Sequence, residues 1–206
     1  MWWQRHLSEF VTLFFVVNPF GVLPVFISLV SKLEPSVQRK VATRACIVAF
    51  AVLAFFVFAG TFLLAQMGVP IRAFQIAGGM VLFLIALEMI RGDSHDSPDA
   101  QDTTGMALAV YPLAIPKIAG PGTMLTIILL SDDDRFDLLG KLATVGMLAL
   151  VLAIQFVVLL AAGPIIRVIG TTGANVIGRV MGMLLAALAV GMVLTAVGDW
   201  LNLPKL

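Results

Sequence analysis

The chain has 206 residues, of which 60% are hydrophobic, and its mean hydropathy is +1.05. This composition, concentrated in long apolar runs, excludes an ordinary water-soluble domain and predicts an all-α polytopic membrane protein. The formal net charge is only +1, and the charged residues fall mainly between the runs, which argues against nucleic acid as a partner. We therefore expect the lipid bilayer to be the principal partner of this chain.

Six apolar segments are long enough to cross about 30 Å of hydrocarbon as helices, which takes roughly 20 residues. Their approximate limits are 8–31, 42–67, 71–91, 105–130, 141–163 and 174–197. An acidic linker separates the third segment from the fourth. The predicted organisation is one membrane domain made of a first three-helix repeat at 1–91, the linker at 92–104, and a second three-helix repeat at 105–206.

The third and sixth segments resemble each other in sequence. Gly79–Leu82 followed by Ala86–Met89 matches Gly182–Leu185 followed by Ala189–Met192 in register. Because each half contains three spans, an odd number, the second half must enter the membrane from the opposite side. The sequence therefore predicts two repeats of inverted topology.

Two pairs of prolines interrupt the first and fourth segments, at Pro19 and Pro24 and at Pro116 and Pro121. Proline removes a backbone donor and clashes with the preceding turn, so each pair predicts a helix broken at membrane depth. Irregular backbone cannot face lipid and must line protein or a cavity. Matching breaks in two halves indicate a transporter's substrate site.

The breaks supply the candidate substrate-binding residues. A helix that restarts after Pro121 exposes amide groups and a positive dipole end at Gly122 and Thr123, which suits a carboxylate, whereas the carbonyl ends of stopped helices suit cations. The full predicted set is Asn18, Pro19, Gly21, Pro24, Pro116, Lys117, Ala119, Gly120, Pro121, Gly122 and Thr123.

Two members of this set have alternative interpretations. Asn18 either contacts a ligand or caps the restarted half-helix beside it. Lys117 either receives a carboxylate in the pocket or extends its long stem to a water-filled vestibule. Glu88 is expected to pair with Arg91, with proton coupling as the alternative.

Other polar residues in the spans receive structural interpretations. Gln75 and Gln155 are expected to form hydrogen bonds between helices. Thr126 is expected to bond the backbone of its own helix. The glycines at 78, 79, 178 and 182 are expected to allow close helix packing.

The sequence offers no pattern typical of an enzyme. Cys46 is the only cysteine, and His6 and His95 lie outside the predicted spans without metal-ligand spacing to a further ligand. No Ser/His/Asp or Cys/His set and no phosphate-binding glycine motif occurs. We therefore expect no catalytic residues, no metal and no cofactor.

Charge predicts the orientation. The segments 32–44, 91–104 and 164–179 share one side of the membrane and carry seven cations, against five on the other side. Four of the seven lie in the first of these loops, which often dominates orientation. The positive-inside rule then places both termini outside, in the periplasm.

The motifs at the breaks carry a family resemblance. Asn18–Phe26 (NPFGVLPVF), Pro112–Pro116 (PLAIP) and Ala119–Met124 (AGPGTM) resemble the signature of the MarC family of bacterial and archaeal inner-membrane proteins. The family name comes from a multiple-antibiotic-resistance locus, but the resemblance does not imply drug efflux. A related branch is associated with transport of small neutral amino acids, and the resemblance implies the bacterial inner membrane as the location.

We therefore expect a secondary transporter of small neutral amino acids such as glycine, alanine, serine or threonine that works by alternating access. A proton or sodium ion is the candidate coupling partner, but no acidic pair marks an ion site, so simple exchange or facilitated export is the alternative. Association with further copies of the chain is left open. One alternative is an exporter of another small metabolite or toxic compound. A second, from a different class, is a non-transporting membrane protein that regulates or scaffolds a partner.

Overall fold

The computed structural model describes residues 2–92, 107–131 and 138–201, and these residues are helical without strands. We number the helices in chain order. They are α1 (Trp2–Val17), α2 (Leu23–Val30), α3 (Pro35–Gln66), α4 (Ile71–Arg91), α5 (Pro121–Ser131), α6 (Leu138–Leu160) and α7 (Ala162–Trp200), with an irregular wide-turned segment at Ala109–Ile118 before α5. The backbone of α7 departs from helical geometry at Gly170, which has φ 68° and ψ 171°.

Four of these helices are long and apolar enough to cross a membrane: α3, α4, α6 and the Thr172–Trp200 part of α7. The irregular segment and α5 meet at a bend of 55° and make a fifth span if they are taken together. The first predicted span is divided between α1 and α2, with 16 and 8 residues, because the chain leaves the helix between them. The described residues thus hold four to five spans by length and composition.

The ends of α3 and α4 follow from local sequence. Pro35 begins α3, where its missing amide hydrogen costs nothing and its fixed φ suits a helix. A short turn separates α3 from α4, with Gly68 at φ 67°. Gly92 adopts φ 80° after α4 and donates its N–H to the Glu88 carbonyl at 3.1 Å, which caps the helix. Apart from Gly92, the predicted linker at 92–104, including His95, lies outside the described residues.

Two predicted loops are largely helical. Most of the segment 32–44 belongs to α3, and most of 164–179 belongs to α7. Hydropathy locates the part of a helix that lies in hydrocarbon, whereas backbone hydrogen bonding continues into the interface. Because the turns that carry Arg39 and Arg167 are charged, hydropathy alone predicts loops there, whereas the structure has helix.

Helices α4 and α7 pack antiparallel through small residues. A Cβ atom built on Gly79 would lie 3.0 Å from the carbonyl oxygen of Ala189, and one on Gly182 would lie 3.0 Å from that of Ala86. The predicted role of these glycines in close packing is confirmed. Gly178, at GxxxG spacing from Gly182, has nothing within 4 Å of its built Cβ.

Buried apolar side chains form two clusters. The larger one joins α1, α2, α3, the irregular segment, α5 and α6. The smaller one centres on Leu82 and Ala86 of α4, with Leu125 of α5 and Leu185 of α7. Helix α4 therefore packs on α5 along one part of its surface and on α7 along another.

Candidate functional site

The first break lies between α1 and α2 and is organised by Asn18. This residue has φ 53°, a left-handed conformation that asparagine tolerates better than most residues. Its backbone carbonyl and its side-chain Oδ1 each accept a hydrogen bond from the Gly21 amide at 3.1 Å. Helix α2 then begins at Leu23, with Pro24 in its first turn. The Asn18 side chain therefore fixes the turn between α1 and α2, but it does not cap α2, whose N-cap residue Val22 has no side-chain hydrogen bond.

The same side chain also reaches another helix. Asn18 is only 8% exposed, and its Nδ2 donates to the Met89 sulfur in α4 at 3.2 Å. A thioether is a weak acceptor, so this amide group can exchange it for a stronger partner at little cost. Gly21 allows this arrangement, because a Cβ atom there would collide with the Asn18 amide.

The second break is longer and contains Pro112 in addition to the predicted pair, Pro116 and Pro121. Within the segment Ala109–Ile118, the backbone is extended at Tyr111 (φ −128°, ψ 129°) and at Ile115 (φ −127°, ψ 123°). Each of these residues precedes a proline, which disfavours the helical conformation in the residue before it, and each is joined to that proline by a cis peptide bond. Helix α5 begins at Pro121, as the sequence predicts.

The restart of α5 is tied to the end of the irregular segment. Thr123 Oγ1 donates to the Ile118 carbonyl at 3.0 Å. Gly120 fits closely against this segment, since a Cβ atom there would collide with the Pro116 carbonyl oxygen. The amides of Gly122 and Thr123 lie in the first turn of α5 and have no acceptor within the helix. The positive end of α5 is thus held in a buried position.

Helix α4 brings the two breaks together. Its Met89 contacts Asn18 in the first break, and its Leu82 contacts Gly122 in the second, where a Cβ atom would collide with the leucine side chain. Leu82 and Met89 are seven residues apart, so they share a helix face and lie about 10 Å apart along its axis. The first break therefore contacts α4 through one hydrogen bond and the second packs on it at Leu82, and both contacts lie on one face of α4.

The predicted site residues differ in burial. Those in the interior are Asn18, Pro19, Ala119, Gly120, Gly122 and Thr123. Gly21 and Pro24 are half-buried, and Pro116, Lys117 and Pro121 are exposed. Neutral polar groups, rather than the Lys117 ammonium, therefore form the interior of the second break.

Two buried polar side chains lack hydrogen-bond partners among the described residues, although the sequence predicts structural hydrogen bonds for both. Gln155 is 0% exposed and Thr126 is 2% exposed, and neither the Gln155 amide atoms nor Thr126 Oγ1 has a hydrogen-bond partner among the described residues. The bonds expected for both residues are therefore wrong, whereas Gln75 does donate to the Met192 carbonyl at 3.1 Å. An unpaired amide in an apolar interior costs several kcal/mol, on the order of 2–7. For Gln155, the sequence feature that could have indicated an unpaired side chain is a single amide in the middle of an apolar span.

A second missed feature lies on α1. His6 and Glu9 are each 5% exposed, and His6 Nδ1 lies 3.1 Å from Glu9 Oε2. Sequence analysis placed His6 outside the spans and gave Glu9 no role. Their i, i+3 spacing puts them on one helix face, and this spacing could have predicted the pair from the sequence. Over the described ranges, no group of three or more His, Cys, Asp or Glu side chains is placed to hold a metal ion.

The buried polar chemistry of the described residues is otherwise neutral. Apart from the His6–Glu9 pair, the buried polar side chains are Asn18, Thr123, Thr126, Ser131, Thr144 and Gln155. They provide amide and hydroxyl groups, which donate and accept hydrogen bonds without net charge. Together with the positive end of α5, this interior suits a small solute that carries balanced charges.

These features define a polytopic helical membrane protein whose interrupted helices meet on a shared helix face. Residues 3–201 match the MarC family of integral membrane proteins, and the chain belongs to this family. The resemblance carried by the proline and glycine motifs is therefore confirmed.

Relatives of similar length support this assignment. A UPF0056 membrane protein of Aquifex aeolicus is 35% identical over 203 residues, which cover 95% of this chain and 94% of that protein. The UPF0056 inner membrane protein YhgN of Escherichia coli K12 is 34% identical over 95% of this chain and 98% of its own length. A relative from Archaeoglobus fulgidus is 33% identical over 93% and 92%. No solved structure matches the chain.

Proposed function

We propose that this protein is a secondary transporter of small neutral amino acids, such as glycine, alanine, serine or threonine, that works by alternating access. The observation that carries the proposal is that the two breaks contact one face of α4, at Met89 and at Leu82. Broken helices at membrane depth are the usual framework of substrate sites in such transporters. The neutral polar side chains buried there favour a substrate without net charge.

The two breaks offer complementary partners for a zwitterion. The amides of Gly122 and Thr123, at the positive end of α5, suit the carboxylate. The carbonyl groups of the first break and Asn18 Oδ1 suit the ammonium group. Asn18 Nδ2 can exchange the Met89 sulfur for a substrate oxygen. Gly120 and Gly122 pack closely against Pro116 and Leu82, and we therefore expect the substrate side chain to be small.

The proposal includes six membrane segments arranged as two inverted three-helix repeats. The contacts between α4 and α7 support it, because equivalent residues in the sequence match make equivalent contacts. Gly79 approaches the Ala189 carbonyl as Gly182 approaches the Ala86 carbonyl, with the same 3.0 Å distance to the built Cβ. Such a reciprocal interface is what a two-fold axis in the membrane plane would produce.

The remaining parts of the proposal concern location and energy supply. We place the chain in the inner membrane, since the Escherichia coli relative is described as an inner membrane protein. Both termini would lie on the outer side. A proton or sodium gradient would drive transport, as is usual for secondary transporters with broken helices.

Uptake by proteoliposomes tests the proposal. We expect saturable uptake of radiolabelled alanine, glycine, serine or threonine, with a dependence on an imposed proton or sodium gradient. Thr123→Val removes the hydroxyl at the start of α5 while nearly keeping its shape, and we expect it to lower kcat/KM for uptake about tenfold or more. Thr195→Val is the matched control, because the exposed Thr195 hydroxyl donates only to the Gly191 carbonyl of its own helix, at 2.8 Å.

Two results would contradict the proposal. Absence of uptake of all four amino acids under every gradient would favour the export of another solute or a regulatory or scaffolding role. Equal loss of uptake in Thr123→Val and Thr195→Val would show that the second break is not part of the substrate site.

A further inference from the structure

A cavity of about 440 Å³ lies near one end of the helices, outside the site at the two breaks. It forms where the end of α2, the beginning of α3, the end of α6 and the beginning of α7 come together. Its apolar wall includes Phe26 and Ile27 of α2 and Leu159 of α6. Because α3 and α6 are spanning helices, their ends place this cavity near the level of the lipid headgroups.

Two arginines line the same cavity, Arg39 from α3 and Arg167 from α7. Neither forms an ion pair with any residue in the described part of the chain. The first turns of α3 and α7 also contribute to the lining, and the N-terminal end of a helix carries a partial positive charge. The cavity thus combines two uncompensated cations with two positive helix ends.

Two negative helix ends, those of α2 and α6, also border the cavity, and the one at α2 is largely neutralised. Gln38, another lining residue, donates its Nε2 to the carbonyl oxygens of Val30 at 3.0 Å and Leu33 at 2.9 Å. These carbonyls lie at and just beyond the end of α2, where unpaired acceptors would otherwise attract cations. Their use by Gln38 leaves the arginines as the dominant charges in the cavity.

We infer that this cavity binds the phosphate group of an anionic phospholipid. The guanidinium groups of Arg39 and Arg167 contact the phosphate oxygens, a geometry for which arginine is well suited. The apolar wall contacts the glycerol end of the acyl chains. Basic pockets between membrane helices on the side with excess Lys and Arg commonly hold such headgroups. Free inorganic phosphate has the same recognition chemistry, and the experiment separates the two sources.

Native mass spectrometry of the purified full-length protein tests this inference. The protein is equilibrated with equal amounts of phosphatidylglycerol and phosphatidylcholine, and the retained lipids are counted. We expect selective retention of phosphatidylglycerol by the unaltered protein and about tenfold lower retention by the Arg39→Gln/Arg167→Gln variant. Excess inorganic phosphate should displace the retained phosphatidylglycerol, because both compete for the same two guanidinium groups.

The matched control is Lys40→Gln/Arg44→Gln. It also removes two positive charges, both of them near the beginning of α3, but neither residue lines the cavity. We expect it to retain phosphatidylglycerol as the unaltered protein does. An Arg39→Lys/Arg167→Lys variant keeps both charges, and partial retention by it shows that any loss in the glutamine variant is not caused by unfolding.

Three outcomes would overturn the inference. Equal losses in the two glutamine variants would mean that diffuse surface charge attracts the lipid. Full retention by Arg39→Gln/Arg167→Gln would place the lipid elsewhere. Binding of inorganic phosphate without selective retention of phosphatidylglycerol would identify a soluble phosphate compound, rather than a lipid, as the source.

Discussion

At the scale of single residues, Gln75 and Gln155 are both amides within apolar helices, and they differ in whether the amide is paired. Gln75 donates to the Met192 carbonyl, whereas Gln155 has no partner among the described residues. Replacing an unpaired buried amide with an apolar side chain of similar size removes a desolvation cost, whereas removing a paired one leaves a carbonyl without its donor.

We therefore predict opposite effects of the same substitution. Gln155→Leu should raise the free energy of unfolding by about 1–3 kcal/mol, and Gln75→Leu should lower it by about 1 kcal/mol. Reversible unfolding in mixed detergent micelles measures both. If Gln155 binds substrate, the more stable variant should also lose uptake. A loss of stability in Gln155→Leu would show that the amide has a partner.

Gly120 lies in the second break, where its backbone packs closely against the backbone of Pro116. A Cβ atom there would collide with the Pro116 carbonyl oxygen, which cannot rotate away as a side chain does. We predict that Gly120→Ala lowers the free energy of unfolding by about 1–3 kcal/mol. The control is Gly191→Ala, where nothing lies within 4 Å and a gain of up to about 1 kcal/mol is expected from helix propensity. Equal thermal midpoints for the two variants would contradict this assignment.

At the scale of elements, sequence predicts most helices well, since α3, α4, α6 and most of α7 coincide with long apolar runs. The positions of both breaks were also predictable, because proline acts on the backbone locally. Helix ends were not, since charged turns such as that of Arg39 continue the helix beyond the hydrocarbon. Whether Gln155 and Thr126 find hydrogen-bond partners among the described residues depends on which helices face them, and a single sequence does not contain that information.

The interface between α4 and α7 distinguishes two glycines that look alike in the sequence. Gly182 lies against Ala86 and Met89, whereas Gly178 faces open space. We predict that Gly182→Ile separates the helices and lowers the thermal midpoint of unfolding, with a cost of about 1–3 kcal/mol or more. Gly178→Ile should change it little. Similar destabilisation by both substitutions would mean that the whole GxxxG stripe, rather than Gly182 alone, forms the interface.

At the scale of the whole molecule, the two broken helices and the reciprocal α4–α7 contacts are parts of one arrangement. An inverted pair of repeats would direct the two breaks from opposite sides of the membrane toward a common position at mid-depth. Because both breaks contact α4, a movement at one break can shift the other through the two helical turns between Leu82 and Met89.

Orientation can be tested at the two ends of one helix. The 32 residues of α3 span about 48 Å, enough to place both ends outside the hydrocarbon. Ser36 and Met67 are exposed at opposite ends, and Cys46→Ala removes the buried native thiol. We predict that a membrane-impermeant maleimide labels Met67→Cys in intact spheroplasts, but Ser36→Cys only after lysis, because the cation-rich end lies inside. The reverse pattern would invert the orientation, and labelling of both in intact cells would mean that α3 does not cross the membrane.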